Sequence, residues 1–306
     1  MNGSLIIDKP EGITSHDAVS RVRRAARTRR VGHSGTLDPF ATGVLVLCLG
    51  QATRLMQFLV GLDKEYIASV RLGFATDTQD VTGKQIAPLR TSKGLSLEKV
   101  DSILNQFVGP QLQTPPMYSA KKVGGERLYK AAREGREVER KPAEIEIYSI
   151  NLQTGEGDWL RENADGSRDF VIKVRCSSGT YIRTLAHDVG ERLAVGAHLS
   201  ALRRVAVGHF EISRAITLER LDELAREDRL SEALMSPAET IGHLPAIRLD
   251  SNEARLIANG RAVELKSDVE GFAIRMLDDG GSLLAIGEID PHRRVIKPRI
   301  VLTGAT

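Results

Sequence analysis

Residues 31–43 read VGHSGTLDPFATG, and they lead directly into the apolar run GVLVLCL over residues 43–49. That run is too short for an independent helix and predicts a buried strand. Residues 31–43 hold three glycines, Asp38 and Pro39, a composition typical of a turn in which the aspartate bonds to the backbone. The sequence therefore predicts a polar glycine-rich loop, carrying one carboxylate, at the start of a core strand.

An amphipathic helix is predicted immediately before this loop. Thr14 or Ser15 supplies the N-cap, and Val19, Val22 and Ala26 fall on one helical face. The opposite side of the helix is rich in arginine. The loop therefore follows a helix whose exposed side is basic.

The charge of this region differs sharply from that of the whole chain. The chain has 43 Lys and Arg against 40 Asp and Glu, a formal charge of only +3. Between Asp17 and Asp38 there is no acidic residue, and there are six arginines: Arg21, Arg23, Arg24, Arg27, Arg29 and Arg30. Like charges at helical spacing repel unless a polyanion neutralises them, which favours a phosphate-binding surface over a merely basic face. A carboxylate exposed beside such a surface can act on a nucleic acid as nucleophile or base.

The remaining pattern is a mixture of strands and helices without a long alternation of the two. Strands are predicted over residues 4–9, 64–72, 144–152 and 169–176, and helices over residues 96–107, 127–134 and 181–193. The acidic stretch 218–232 predicts a further helix. This pattern indicates an α+β fold with a mixed, largely antiparallel sheet.

The pattern changes after Pro245. Ser251 is predicted to cap a short helix, and three short strands follow over residues 272–277, 283–289 and 295–302, separated by Gly, Asp and Pro turns. The 306 residues are therefore divided into a large domain over 1–242, with a basic insertion at about 76–145, and a small β-rich domain over 243–306.

Composition excludes several classes of protein. The 41% hydrophobic and 27% charged residues are ordinary for a soluble globular protein. Cys48 and Cys176 are too few for a disulfide framework, and neither forms a CxxC pair. No apolar run approaches the ~20 residues of a membrane span, and Asp8 interrupts the N-terminus before a signal-peptide core could form. We therefore expect a cytoplasmic protein.

Motifs for cofactor chemistry are also missing from the sequence. It contains no GxGxxG after a strand, no GxxxxGK[ST] and no HExxH, and its seven histidines do not cluster with acids or cysteines. We therefore expect neither a nucleotide cofactor nor a metal ion. His33, Ser34 and Asp38 could suggest a hydrolase triad, but the GxSxG elbow is absent and the three residues are too close along the chain.

The segment GHSGTLDPFATGVL resembles the catalytic motif of the TruB-type tRNA pseudouridine synthases. Four further blocks are similar to those of the same family, in the same order: LIIDKPEGITSHD, DKEYIASVRLGFATDTQD, PPMYSAKKVGGERLYKAAREG, and CSSGTYIRTLAHDVGERL with AHLSALRR. The C-terminal module is similar to the family's PUA-type RNA-binding domain. The resemblance implies an enzyme that isomerises uridine to pseudouridine at position 55 in the T loop of tRNA. It needs no cofactor, metal or obligatory protein partner, and we expect a monomer.

The resemblance also implies roles for individual residues. Asp38 matches the catalytic aspartate, Arg183 its arginine partner, and Tyr66 the active-site tyrosine that stacks on the extruded uracil. The sequence leaves open whether Asp38 attacks C1′, attacks C6 or assists elimination to a glycal. Tyr181 and Leu202 match positions that line the nucleotide pocket.

Residues around the pocket complete the expected site. His33 matches the residue that inserts into the T-loop stack where nucleotides are flipped out. Lys9 resembles a residue that supports the catalytic loop or contacts the RNA backbone. From the charge pattern, we expect Arg21, Arg24 and Arg27 to bind RNA phosphates.

Two other functions fit parts of the sequence. One is the catalytic subunit of a guide-dependent rRNA pseudouridylase, although the chain lacks the long charged tails often seen there. The other is a tRNA-folding chaperone in which catalysis is not essential. The presence of Asp38, Tyr66 and Arg183 together argues against a protein that only binds RNA.

Overall fold

The computed structural model describes residues 1–119, 122–123, 125–136, 138–154, 158–266, 268–290 and 292–302. The strands are β1 Gly3–Lys9, β2 Val31–His33, β3 Thr42–Leu49, β4 Lys64–Leu72, β5 Gly109–Gln113, β6 Lys122–Val123, β7 Glu126–Arg127, β8 Ala143–Gln153, β9 Arg161–Glu162, β10 Arg168–Cys176, β11 Ala197–Val207, β12 Phe210–Glu211, β13 Ala246–Arg248, β14 Val263–Glu264, β15 Ile274–Leu277, β16 Leu283–Asp290 and β17 Val295–Val301.

The α-helices are α1 Ser15–Ala25, α2 Leu97–Asn105, α3 Leu128–Arg133, α4 Ile182–Arg192, α5 Leu218–Arg226, α6 Pro237–Thr240 and α7 Ser251–Ala258. Three 3₁₀ helices cover Gly50–Phe58, Ile212–Arg214 and Leu230–Ala233. None of the helices within the described ranges is long and apolar enough to cross a membrane.

A ten-stranded sheet forms the body of the molecule. Its strand order is β1-β3-β11-β4-β10-β8-β5, and β2, β9 and β12 pair with β3, β10 and β11. The pairing of β3 with β11 is parallel, and the other pairings of this sheet are antiparallel. The predicted α+β class with a mixed, largely antiparallel sheet is confirmed.

The alternation of β4 explains which side chains reach the core. Lys64, Tyr66, Ala68, Val70 and Leu72 are buried, and the intervening residues are more exposed. Successive side chains of a strand point to opposite faces, so the buried set shares one face. The helices α1, α2, α4 and α5 supply buried apolar side chains to the same core cluster as β4. Tyr66 therefore lies on the helix-covered face of the sheet.

Strand β11 lies at the centre of the sheet but was not predicted. It pairs with β4 over nearly its whole length, with register shifts between Leu199 and Ala201 and between Arg204 and Ala206. Each bulge inserts an extra residue, and this breaks the period-two pattern by which a strand is identified from sequence. The strand also buries two polar residues, His198 and Arg204, which weakens its apolar signal.

Helix α1 begins and packs as predicted. Thr14 is the N-cap, its side chain accepts from the Asp17 amide, and Asp17 completes a capping box. Val19 and Val22 are buried in the main core. The helix thereby brings the glycine-rich loop onto one end of the sheet.

The C-terminal strands form a separate five-stranded sheet in the order β13-β15-β16-β17-β14. The predicted β-rich character is confirmed, while the PUA-like kinship stays a prediction. The predicted cap of α7 was wrong: Asp250 is the N-cap, because its carboxylate accepts from the amides of Asn252 and Glu253. An aspartate one residue earlier satisfies two free helical amides, which leaves Ser251 inside the helix.

The region predicted as an insertion is joined to the body of the molecule. Strand β5 pairs with β8 in the ten-stranded sheet, and Val100 and Leu104 of α2 are fully buried in the main core. The segment 76–145 therefore contributes to the catalytic body as well as to its surface.

Gly43 joins the glycine-rich loop to the centre of the sheet. It pairs with Lys9 on one side and with Arg204 on the other. Its φ of +102° is a conformation that other residues adopt only with strain, and a Cβ there would overlap the carbonyl oxygen of Arg204. Only glycine fits at this point, where β3 and β11 approach each other closely.

We expect Gly43→Ala to lower the free energy of unfolding by about 3 kcal/mol, because backbone strain and steric overlap add. Gly12→Ala is the matched control: Gly12 also has a positive φ, +86°, but nothing lies within 4 Å of its Cβ position. The control should lose only about 1 kcal/mol. Urea denaturation followed by circular dichroism measures both, and equal losses would contradict the close approach.

Candidate active site

A cavity of about 390 Å³ opens on the helix-covered side of the sheet. The glycine-rich loop forms one wall, the segment between β10 and α4 forms another, and β4 and β11 contribute side chains between them. Its lining includes Ser34, Gly35, Thr36, Leu37, Asp38, Val60, Lys64, Tyr66, Ser119, residues 177–183, Leu202 and Arg204. Four segments distant in sequence therefore meet around one small space.

Asp38 and Arg183 form an ion pair in this cavity. The Arg183 Nε lies 3.0 Å from the Asp38 Oδ2, and the arginine side chain is 5% exposed against 35% for the aspartate. Removal from water raises the pKa of the Asp38 carboxyl, Arg183 opposes that rise, and Asp80 adds to it. The sequence prediction placed these two residues together, and the structure does the same.

Asp80 is a residue that the sequence prediction missed. Its Oδ2 lies 3.1 Å from Arg183 Nη1, and its side chain is only 4% exposed. Its other oxygen accepts from the Thr78 hydroxyl and from the Thr82 amide and hydroxyl. The only available signal was the TDTQDVT stretch, whose closely spaced Asp and Thr residues are typical of a hydrogen-bonded turn.

Two backbone carbonyls complete the surroundings of the Arg183 guanidinium. Nη1 donates to Thr78 O at 3.2 Å, and Nη2 donates to Tyr118 O at 2.7 Å. Together with the two carboxylates they hold the planar group in one orientation. Asp38 therefore meets an arginine whose position is already set by other parts of the chain.

Tyr66, Tyr181 and Leu202 line the same cavity. Tyr66 is 8% exposed, and burial raises the pKa of its hydroxyl. The Gln113 side chain holds the backbone of Tyr181. Its Oε1 accepts from the Tyr181 amide at 2.8 Å, and its Nε2 donates to the Tyr181 carbonyl at 3.0 Å. The three predicted pocket residues are therefore brought together around Asp38.

His33 lies beside the cavity rather than in its lining. It ends β2, is half-buried, and its Nδ1 accepts from the Gly35 amide at 3.3 Å. Burial and the nearby Arg204 lower the pKa of its imidazole, which favours the neutral ring. A neutral planar ring is thus present where the loop leaves the sheet.

Lys9 is fully buried beneath the glycine-rich loop. Its ammonium donates to the carbonyls of Pro10 and Ile13 at 2.8 Å and of Pro39 at 3.3 Å. Burial lowers its pKa to about 8. Of the two roles expected from the sequence, this geometry fits support of the loop and leaves the side chain out of reach of an RNA backbone.

The three arginines expected to bind phosphate differ in their surroundings. The Arg21 Nη2 lies 2.6 Å from the Asp222 carboxylate on α5, so this arginine forms an ion pair within the protein. Arg24 is exposed, and Arg27 is 83% exposed with Asp228 no closer than 4.0 Å. Arg21 therefore differs from Arg24 and Arg27, because the acidic helix α5, which sequence alone could not place, packs against α1 and pairs with it. RNA binding by these arginines stays a prediction.

Two further basic residues in the cavity wall were missed. Arg204 is 2% exposed, and its guanidinium donates to the carbonyls of Val44 at 2.7 Å and Gly35 at 3.1 Å. Lys64 is 7% exposed and donates to the carbonyls of Val60 and Leu62. A charged residue in a strand gives no sequence signal of burial when its partners are backbone carbonyls. Across the described ranges, no group of three or more His, Cys, Asp or Glu is arranged to hold a metal ion.

Family models match nearly the whole chain. Residues 23–182 match the TruB family pseudouridylate synthase N-terminal domain. Residues 183–241 match the tRNA pseudouridylate synthase B C-terminal domain, and residues 245–302 match the C-terminal model of pseudouridine synthase II TruB.

Individual relatives are similar over the same length. A tRNA pseudouridine synthase B of Geobacter sulfurreducens is 44% identical over 289 residues, covering 92% of this chain and 91% of its own. One from Bacillus pumilus is 38% identical over 308 residues, covering 99% and 98%.

Solved structures share the fold. A chain of an H/ACA RNP bound to a substrate RNA containing 2′-deoxyuridine superposes with a TM-score of 0.73 at 23% identity, covering 99% of this chain and 85% of its own. A chain of a Cbf5-Nop10-Gar1 complex gives 0.69 at 28% identity, covering 94% and 78%.

The fold and the cavity thus define an enzyme of the pseudouridine synthase class, an isomerase. Within that class, the chain belongs to the TruB family of pseudouridylate synthases, because the family model and the relatives cover it almost end to end.

The two carboxylates on Arg183 should differ in their effect on stability. Asp80→Asn leaves a buried guanidinium with less compensation and places an amide against three donors, so we expect a loss of about 3 kcal/mol of unfolding free energy. Asp38→Asn keeps the Asp80 pair, so we expect a change within about 1 kcal/mol. Urea denaturation at pH 7 measures both.

The sign of the stability change expected for Asp38→Asn follows from the pKa of Asp38. Because that pKa is raised in the folded state, the stability linked to this group is complete below the ordinary aspartate pKa and is lost as pH rises through the raised one. Replacing the carboxylate at neutral pH therefore removes an unfavourable contribution to the stability of the folded state. An Asp38→Asn protein as unstable as Asp80→Asn would contradict the unequal roles.

Proposed function

We propose that this enzyme converts uridine to pseudouridine at position 55 in the T loop of tRNA, with Asp38 as the catalytic carboxylate. The observation that carries the proposal is the Asp38–Arg183 pair, 3.0 Å apart, in a cavity that also contains Tyr66 and Tyr181. The relatives from Geobacter sulfurreducens and Bacillus pumilus, both tRNA pseudouridine synthases B, support tRNA as the substrate.

The cavity suits one extruded nucleotide. Its volume of about 390 Å³ falls within the ~300–1,000 Å³ typical of small-ligand sites. Chemistry at C1′ and C5 requires the base to leave its stack, at a cost of a few kcal/mol. In our proposal Tyr66 stacks on the uracil, Leu202 and Tyr181 close the pocket, and His33 enters the T-loop stack and offsets part of that cost.

Arg183 favours the ionised form of Asp38. Burial raises the pKa of the carboxyl, and the arginine opposes that rise. Because the guanidinium is shared with Asp80, it neutralises Asp38 less than a partner of its own would. A desolvated and incompletely neutralised carboxylate is suited to act as nucleophile or base, whether on C1′, on C6 or in elimination.

The remaining features of the proposal concern architecture and partners. We propose a catalytic domain over residues 1–242 and an RNA-binding domain over 243–306, acting as a cytoplasmic monomer without an obligatory protein partner. The similarity to chains of H/ACA particles keeps a guide-dependent activity as the second candidate, but those chains are less similar to this one than the tRNA pseudouridine synthases B are. A chaperone function is compatible with either.

The decisive experiment is pseudouridine mapping on unmodified tRNA transcript, with neither guide RNA nor cofactor. Wild type should modify position 55, and Asp38→Asn should lose more than about 10³-fold in rate while still binding tRNA. Asp158→Asn, at an exposed position between β8 and β9, is the matched control and should act like wild type. No product from wild type would favour the guide-dependent or chaperone function, and turnover by Asp38→Asn would mean a different catalytic carboxylate.

The exposed arginines should govern the salt dependence of tRNA binding. Replacing Arg24 and Arg27 with Gln should weaken binding and reduce the slope of log K against log salt by about 0.7–0.9 for each lost phosphate contact. Arg21→Gln removes the same charge from the same helix, but Asp222 already neutralises it, so its slope should stay near wild type. Filter binding between 50 and 200 mM salt makes the comparison. An equal loss of slope in all three positions would show that charge alone, and not exposure, sets the contact.

A further inference from the structure

Two buried cations in the cavity wall have no carboxylate partner. Lys64 and Arg204 are 7% and 2% exposed, and in the part of the chain that the structure describes neither forms an ion pair. Buried charges in proteins are ordinarily paired, because removal from water is costly. The catalytic function assigned above to Asp38, Arg183 and Tyr66 makes no use of either residue.

Lys64 has a donor to spare. It lies two residues before Tyr66 on the same face of β4, about 7 Å along the strand, and it lines the cavity. Its ammonium gives two of its three N–H groups to the carbonyls of Val60 at 2.8 Å and Leu62 at 2.5 Å. Those carbonyls fix the nitrogen in place, and no acceptor among the described residues takes the third N–H.

Arg204 supports this arrangement from the neighbouring strand. It pairs with Tyr66 across β4 and β11. Its guanidinium donates to the carbonyls of Val44, Gly35 and Thr36, which occupy most of its hydrogen-bonding capacity. Its charge remains, so the cavity is more positive than the Asp38–Arg183 pair alone would make it.

The cavity wall therefore carries a net positive charge that a bound anion would neutralise. Lys64, Arg183 and Arg204 are in its wall, whereas Asp38 is the carboxylate there and Asp80 lies behind Arg183. One positive charge is left without compensation among these five groups. The uracil base is neutral in the ground state, so the base that enters the cavity does not at first supply the missing charge.

The reaction supplies that charge on the uracil itself. When the C1′–N1 bond breaks, its electron pair leaves with the base, which becomes an anion spread over N1 and the two carbonyl oxygens. If Asp38 instead adds to C6, an electron pair moves onto C5 and O4, so each route makes the ring carbonyls more negative. The charge disappears when C5 bonds to C1′, the C5 proton is lost and N1 gains a proton.

We propose that Lys64 is a further catalytic residue, whose ammonium donates a hydrogen bond to a carbonyl oxygen of the uracil as negative charge develops on the ring. Arg204 is a positioning residue that holds the glycine-rich loop and adds positive potential behind Tyr66. This inference rests on the proposed uridine isomerisation. A fixed donor in a site removed from water stabilises a developing anion far more than the neutral ground state.

The ionisation of Lys64 is consistent with this role. Burial, helped by the nearby Arg204, lowers its pKa to about 8, and Cys176 and Asp63 oppose the shift. The Cys176 thiol has its own pKa raised to about 11 by burial and stays neutral near pH 8. Because the protonated amine is the active form, the rate should fall as pH rises above about 8.

The test uses the full-length protein and unmodified tRNA transcript under single-turnover conditions. Lys64→Met should lower the rate at saturating enzyme by about 100-fold and change the Kd for tRNA by less than about threefold. Lys64→Arg should recover part of the rate and move the alkaline fall to higher pH, because a guanidinium does not titrate there. Lys173→Met is the matched control: this lysine is on β10, 44% exposed and paired with Glu65, and its loss should leave the rate unchanged.

Several results would overturn the inference. Lys64→Met with a wild-type rate would do so, as would a raised Kd with an unchanged saturating rate, which would mean that the lysine contacts an RNA phosphate. If Lys64→Met fails to fold, Lys64→Arg decides alone, and an alkaline limb identical to that of wild type would reject the role. A wild-type enzyme that makes no pseudouridine would instead refute the proposed function, which keeps the two failures distinct.

Discussion

The active site depends on one buried guanidinium. Arg183 is almost fully removed from water, a state that costs several kcal/mol unless its donors are satisfied. Asp38, Asp80, Thr78 and Tyr118 provide the acceptors. These residues come from three loops that share no local structure, so the arginine links them. The same contact fixes the position of the Asp38 carboxylate and opposes the rise of its pKa that burial causes.

The glycine-rich loop is held from beneath by the same kind of interaction. Lys9 and Arg204 are both buried, and both donate to backbone carbonyls of the loop or its neighbours. Gly43 lies on β3, between the strands that carry them, and lets β11 approach β3 closely. A neutral carbonyl acceptor leaves the positive charge of a bound cation uncompensated, whereas a carboxylate partner would neutralise that charge. The scaffold that orders the loop therefore also makes the cavity electropositive, which suits both a polyanionic substrate and an anionic intermediate.

Much of the fold could be predicted where local chemistry and tertiary packing agree. The capped start of α1 and the strand β4 could be predicted directly, because each follows from the residues of one short segment. Strand β11 could not be predicted, because its bulges and buried polar residues are compensated only by neighbouring strands. Of the site, Asp38 and Arg183 were expected together, whereas Asp80 was not, because nothing local shows that a polar turn will fold onto α4.

The sequence by itself determined that a basic helix precedes a glycine-rich loop with one carboxylate, and that cofactor motifs are lacking. These are properties of contiguous residues, and their chemistry does not depend on what lies across the sheet. The tertiary structure decided which charges are free. Arg21 is neutralised by Asp222, whereas Lys64 and Arg204 keep their charge in the cavity. The physical reason is that the effect of a charge depends on its desolvation and its partners, and both arise only when distant segments pack together.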